Sequence, residues 1–141
     1  MPTSTAKATW EGGLRGGKGS YDGQSGFSGS YSFATRFGGE RGSNPEELLA
    51  AAEAACYSMA LSAGLEKAGL SPQRVATTAH CTVEKVGEGF KITTMKLEVT
   101  ASVAGIDDAK FQEIAEATKK GCPVSVALAG IDNISVEAKL Q

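Results

Sequence analysis

The stretch that most constrains this chain is residues 43–69, SNPEELLAAAEAACYSMALSAGLEKAG. It reads as one long, alanine-rich helix with Cys56 near its middle. Asn44 can cap the helix, and Pro45 then falls at the first helical position, where its missing N–H costs nothing. Glu47 completes a capping box with Asn44; one residue earlier, Ser43 and Glu46 stand in the same relation, so the frame is open by one. Both glutamates lie in the first turn, where the helix dipole favours negative charge. Gly69 is the expected stop, with Lys67 before it and Pro72 beyond. Six alanines between positions 50 and 60 give a smooth surface that another backbone can approach closely. A buried core helix, with Cys56 as a small hydrophobe, fits the same residues.

The 141 residues suffice for one domain, 1–141, with a hydrophobic core. A net charge of −2 argues against a nucleic-acid partner. No apolar run is expected to reach membrane-spanning length, and the N-terminus carries no basic region followed by an apolar one. The expected location is therefore the cytoplasm. Three cysteines in a reducing compartment do not make a structural disulfide framework.

Residues 1–5 are expected to be a flexible tail. Eleven of the 18 glycines fall between positions 12 and 42, among aromatics and alternating residues. Residues 7–10 and 14–21 are expected to form a hairpin around Gly12-Gly13, and 28–37 a third strand. Gly12, Gly17 and Lys18 imitate part of a phosphate-binding loop. Gly19, however, stands where Ser or Thr should hold magnesium, and no helix follows. After the helix, residues 74–86 alternate, with Val75, Thr77, Ala79, Cys81 and Val83 on one face. A turn at Gly87-Glu88-Gly89 leads to a strand over 90–103, whose phase slips near Thr93-Thr94, a candidate β-bulge. A second helix is expected from Asp107 to Lys120, with Phe111, Ile114, Ala115 and Thr118 as its apolar stripe and Gly121 as its left-handed stop. A short helix then starts at Cys122-Pro123, and 134–140 form a closing strand. The order predicts an α+β fold with a mostly antiparallel sheet.

Cys81, in an alternating strand, reads as core. Cys122 precedes Pro123 at a helix start, where N–H groups favour a thiolate, so local reasoning makes it the more acidic thiol. Cys56, in mid-helix, needs a cation from elsewhere in the fold. His80 and Cys81 are adjacent on a strand and point to opposite faces, which argues against a shared metal ion. A Cys–His hydrolase pairing His80 with Cys56 or Cys122 is neither forbidden nor recommended by the spacing.

Three stretches together resemble the osmotically inducible protein C and organic hydroperoxide resistance (OsmC/Ohr) family. They are Thr35-Arg36-Phe37, the run from Asn44-Pro45-Glu46-Glu47-Leu48 to Ala54-Ala55-Cys56, and Gly121-Cys122-Pro123-Val124-Ser125. The position of Arg36 just before the helix is more similar to the OsmC branch. The resemblance implies a thiol-dependent peroxidase of the antioxidant stress response, acting on organic hydroperoxides. Cys56 matches its peroxidatic cysteine and Cys122 the resolving one. Arg36 matches the arginine that stabilises the thiolate, and Glu46 the glutamate that orients it. It further implies a redox-active Cys56–Cys122 disulfide, no metal or bound cofactor, and a dithiol reductant such as lipoyl proteins. The implied assembly is an intertwined homodimer with sites at the subunit interface.

The chemistry is consistent with these residue types. A thiolate attacks a peroxide oxygen to give a sulfenic acid and an alcohol, and a second cysteine closes a disulfide before further oxidation. A guanidinium can stabilise the thiolate and donate to the peroxide oxygens. Glu53, one turn before Cys56, should point away or be paired, since a carboxylate beside the thiol opposes its ionisation. Glu46 and Cys56, ten residues apart, would be about 15 Å apart along a straight helix. Either Glu46 serves a site in the partner chain, which we expect, or the helix starts later. Met59, Ala60 and Ala63 follow Cys56 at helical spacing, and with Phe33 and Phe37 they are candidates for an apolar pocket. The alternative functions are a non-catalytic dimeric binding protein for a small apolar ligand, and a redox sensor.

Overall fold

Asn44 settles where the long helix begins. In the computed structural model, which describes all 141 residues, its Oδ1 accepts from the Glu47 N–H at 2.9 Å. Contacts divide the chain into two units, Met1–Leu48 and Leu49–Gln141. The helix in question, Pro45–Lys67, starts in the first and continues into the second.

The first unit holds an antiparallel sheet of β1 (Ala6–Glu11), β2 (Lys18–Gly23) and β3 (Ser28–Tyr31), in that order. Thr5 is already tied to Gln24 by two hydrogen bonds of 3.0 and 3.1 Å, so the tail is shorter than expected. Residues 14–17, expected as strand, belong to the turn. Gly17 N–H bonds Gly13 O at 2.7 Å, and a side chain on Gly17 would collide with the carbonyls of Gly13 and Glu11. Tyr31 packs its ring on Trp10 and Tyr21, with centroids 5.5 and 6.2 Å apart.

The third strand ends at Tyr31, not at 37. Ser32 caps a short helix, α1 (Phe33–Phe37), through a capping box. The Thr35 N–H donates to Ser32 Oγ at 3.1 Å, and the Ser32 N–H to Thr35 Oγ1 at 2.9 Å. The alternation of Tyr31, Phe33 and Thr35 suggested strand. The Ser-x-x-Thr signal overrides it, because reciprocal capping satisfies two otherwise orphaned donors. Thr35 Oγ1 also donates to Ser43 O at 2.8 Å, and the Tyr21 and Ser43 hydroxyls meet at 2.6 Å. These bonds fix the chain entering α2 (Pro45–Lys67).

The second unit contains the hydrophobic core. β4 (Pro72–Val86) and β5 (Gly89–Val103) form a long antiparallel hairpin, and β6 (Asn133–Leu140) adds parallel to β5. The expected bulge is present: Thr82 faces Thr94 and Val83 faces Ile92, leaving Thr93 extra. This places Met95, Leu97, Val99, Ala101 and Val103 inward, all buried. Two helices make the crossover from β5 to β6. α3 (Asp108–Gly121) is capped by Asp107, whose Oδ1 accepts from the Lys110 N–H at 2.8 Å. It buries Phe111, Ala115 and Thr118. α4 is Pro123–Ala127. Gly121 is not left-handed as expected. It is the last residue of α3, and Cys122, extended at φ −62° and ψ 123°, makes the corner between the helices. A proline next in sequence disfavours helical backbone at Cys122 and so breaks the run there. The fold is α+β with mostly antiparallel strands, as the element order predicted.

α2 ends as its sequence requires. Gly69 is left-handed at φ +81°, and the N–H groups of Gly69 and Leu70 bond the carbonyls of Glu66 and Leu65 at 2.9 and 3.1 Å. One expectation about α2 needs correction. It is long and apolar enough to cross a membrane, with a mean hydropathy of 1.4 over an 18-residue window. Alanine makes the run apolar without making it bulky, and Glu53 is the one charge between Leu48 and Leu65. Tyr57, Leu61 and Leu65 are wholly buried, so one face of α2 packs in the core. The opposite face exposes Ala51, Ala52, Ala55 and Met59.

Candidate active site

The four residues singled out in the sequence form two pairs, one in each unit. Arg36 and Glu46 are joined in the first. Arg36 is placed by α1 and Glu46 by the first turn of α2. The guanidinium forks onto the carboxylate: Nε donates to both oxygens at 3.1 Å, and Nη2 to Oε1 at 2.6 Å. The carboxylate side chain is 6% exposed and the guanidinium 36%, so Glu46 is the buried anchor and Arg36 the group presented. Charge-assisted bidentate pairs of this kind fix direction as well as distance. Nη1 lies outside the fork. Arg36 also lines a cavity of about 190 Å3, with Phe33, Phe37, Trp10 and Leu14 among others. The two candidate phenylalanines thus share a wall, with ring centroids 5.2 Å apart.

Cys56 and Cys122 are joined in the second unit. Cys122 lies close enough to Cys56 to act on the ionisation of its thiol, and neither is in a disulfide. Cys122 is wholly buried, while Cys56 is partly accessible. Burial pushes the Cys56 thiol above its ordinary value; the Val124 N–H, hydrogen-bonded to its sulfur, pulls it down; Cys122 and the charge of Glu53 push it up again. None of these influences comes from a cation. The sequence placed the helix-start donors at Cys122. In the structure the Cys122 side chain makes no capping hydrogen bond to α4, and the Val124 N–H serves Cys56 instead.

Glu53 is wholly buried. Its Oε1 accepts a short hydrogen bond from the hydroxyl of Ser125 on α4, and its Oε2 has no partner. It is paired, as the sequence required, but only by half. Val124 and Ser125 were part of the stretch that carries the family resemblance, but neither was given a role. They lie some 70 residues from Glu53 and Cys56, and spacing carries no signal across that distance; helix-start donors near a proline were the only hint.

The remaining candidates fall elsewhere. Cys81 packs against the core from β4, as expected. His80 faces the other way, with its side chain 52% exposed and Nε2 3.4 Å from Glu98, and it is not among the groups acting on Cys56. That removes the geometric basis for a Cys–His hydrolase. Among residues trailing Cys56, Met59 is 76% exposed and Ala63 is exposed, while Ala60 is half-buried against the core. No three His, Cys, Asp or Glu side chains cluster as a metal site would require.

An α+β fold that brings two free thiols together at the junction of a long helix and a helix corner has the groups that thiol redox chemistry needs. Comparison with known proteins makes this specific: the chain belongs to the OsmC family, whose "OsmC-like protein" model matches residues 38–137. It is 48% identical over 124 residues to Peroxiredoxin OsmC of Escherichia coli strain K12, covering 86% of this chain and 87% of that protein. It is 33% identical over 103 residues to an organic hydroperoxide resistance protein of Xanthomonas axonopodis pv. citri, covering 72% and 69%. The fold matches the crystal structure of the organic hydroperoxide resistance protein OhrB of Bacillus subtilis, with TM-score 0.68, 27% identity and coverage of 97% and 98%.

Proposed function

We propose that this chain is a cysteine-based peroxidase that reduces organic hydroperoxides to alcohols. The observation that carries the reading is the contact between Cys56 and Cys122, with the Val124 N–H on the Cys56 sulfur. The Cys56 thiolate attacks a peroxide oxygen; the O–O bond breaks, giving a Cys56 sulfenic acid and an alcohol. Cys122 then condenses with the sulfenic acid to a Cys56–Cys122 disulfide, releasing water. A dithiol, in our reading a lipoyl group on a protein, restores both thiols by exchange. The reducing compartment this requires is the cytoplasm.

Arg36 is the cation that Cys56 lacks, and Glu46 aims it. The guanidinium stabilises the thiolate and donates to the peroxide oxygens, while the aromatic cavity beside it receives the alkyl chain. Arg36 is forked to Glu46, and Glu46 stands ten residues before Cys56 on a helix that begins at Pro45. The alternative of a later helix start is therefore closed. This supports a homodimer in which the Arg36–Glu46 pair of one chain serves the cysteines of the other, with the exposed alanine and Met59 face of α2 in the interface. Residues 1–141 act as one domain in this assembly.

The test is thiol count, intact mass and peptide mapping of the reduced protein after one equivalent of an organic hydroperoxide. Rapid loss of two thiols with a Cys56–Cys122 link is expected, followed by turnover with a lipoyl reductant. Thiols that stay reduced, or a link involving Cys81, would overturn the reading.

A further inference from the structure

The condensation step raises a problem of protons. Cys122 is wholly buried, so no solvent touches its sulfur when the thiol must ionise. The hydroxide leaving the Cys56 sulfenic acid must also be protonated to depart as water. Both needs are met by one group that accepts a proton and returns it.

Within the chain that carries the cysteines, two ionisable groups besides the thiols themselves lie close. Tyr57 feels Cys122 and Glu53, but burial above all, with the charges of Glu116, Cys122 and Glu53, holds its phenol far above the ordinary tyrosine value. Its hydroxyl is moreover committed to Ala115 O at 2.8 Å. Glu53 is the other. It sits one turn before Cys56 on the same helix, so the two side chains are neighbours on one face. It is hydrogen-bonded to Ser125, three residues after Cys122, and so spans the two elements that carry the cysteines. Its Oε2 is buried and unpartnered. A buried acceptor left without a donor is costly, and the cost is relieved when a proton arrives on it during the reaction.

We propose that Glu53 is the proton relay of disulfide closure. As a carboxylate it takes the proton of the Cys122 thiol. The electron pair of the Cys122 sulfur forms the S–S bond with Cys56 while the S–O bond of the sulfenic acid breaks, its electron pair leaving with oxygen. The Glu53 acid gives its proton to that oxygen, water departs, and the carboxylate is restored. The proposal rests on the peroxidase reading above and adds to it a residue and a step.

Glu53→Gln tests it, since the amide keeps the shape and can still accept from Ser125. Sulfenic acid formation should persist, because loss of the Glu53 charge removes one influence that opposes Cys56 ionisation. Closure should slow by about 100-fold, the scale of a lost general acid–base. The sulfenic acid should then accumulate, trapped by a dimedone probe. A merely structural role would not change the proton count, so closure in mixtures of light and heavy water is measured as well. The parent should give a bowed dependence on deuterium fraction, two protons being in flight, and Glu53→Gln a linear one. Closure of the variant at the parent rate, or a linear dependence in the parent, overturns the relay while leaving the peroxidase reading intact. If the variant does not fold, the parent dependence alone decides. If the parent forms no Cys56–Cys122 disulfide at all, the peroxidase reading itself fails, and the relay with it.

Discussion

Cys56 stands where burial, a neighbouring thiol and a buried carboxylate all oppose its ionisation, and a single N–H favours it. The thiolate is the nucleophile, so the proposed Arg36 cation must carry the difference. Replacing Arg36 by Gln keeps a polar side chain and removes the charge, and the Cys56 thiol should then titrate higher. Below that value each unit of elevation lowers the thiolate population about tenfold. At neutral pH the rate of the first thiol loss should therefore fall about 10- to 100-fold. Raising the pH restores thiolate, so the variant should recover more steeply with pH than the parent. Stopped-flow rates against pH check this; a flat ratio of variant to parent would assign Arg36 no part in ionisation. Cys122→Ser should leave the first step in place and strand the sulfenic acid, which excess peroxide then carries to the sulfinic acid, 32 Da heavier than the thiol by mass (about two oxygens). At this scale the sequence displays chemistry well when it is local or motif-borne. The Asn44 cap, the arginine before the helix and both cysteine contexts are of this kind. Glu53–Ser125 is a contact across 72 positions, and nothing near either residue announces it.

Elements were legible where one physical signal dominated. α2 carries consistent marks at both ends, and the β5 bulge shows as a change of alternation at Thr93. Signals in conflict were misread. Residues 28–37 alternate like a strand, yet Ser32 and Thr35 form a capping box, and satisfying two backbone donors outweighs a pattern of three side chains. At Gly121 the glycine suggested a left-handed stop, but Cys122-Pro123 turns the chain without one. Gly69 is the opposite case, where the conformation depends on glycine. Its surroundings are open, with nothing within 4 Å of an added Cβ, so only the backbone would be strained. Gly69→Ala should cost about 1–2 kcal/mol and lower Tm by about 3–8 °C. Thiol loss with hydroperoxide should keep its rate, because the substitution lies at the far end of α2 from Pro45. Thermal melting and the stopped-flow assay measure the two separately.

For the whole molecule, the fold class and the family were legible in the chain, and the proposed pairing with a second copy only in part. The alanine-rich run announced a surface open to close approach. The structure adds that α2 buries Tyr57, Leu61 and Leu65 on one side and leaves Ala51, Ala52, Ala55 and a 76%-exposed Met59 on the other. A helix so apolar on both sides buries one in its own core and leaves the other suited to a second surface. The proposed homodimer supplies the second and brings each Arg36–Glu46 pair to the partner's cysteines. Complementation distinguishes this arrangement from one in which each chain is self-sufficient. Glu46→Ala loosens the arginine, and Cys56→Ser removes the nucleophile, so the first homodimer should be slowed by up to about 100-fold and the second should be inactive. In a heterodimer of the two, one site draws an intact Arg36–Glu46 pair from the Cys56→Ser chain and an intact Cys56 from the Glu46→Ala chain. That site should work and the other should not, so activity per heterodimer should return to about half that of the parent, the two sites being independent. Differently tagged chains, mixed from unfolded protein and purified for both tags, allow the heterodimer to be assayed alone. If the pair instead served its own chain's cysteine, every site in the heterodimer would carry one defect, and the purified heterodimer would be no more active than the Glu46→Ala homodimer.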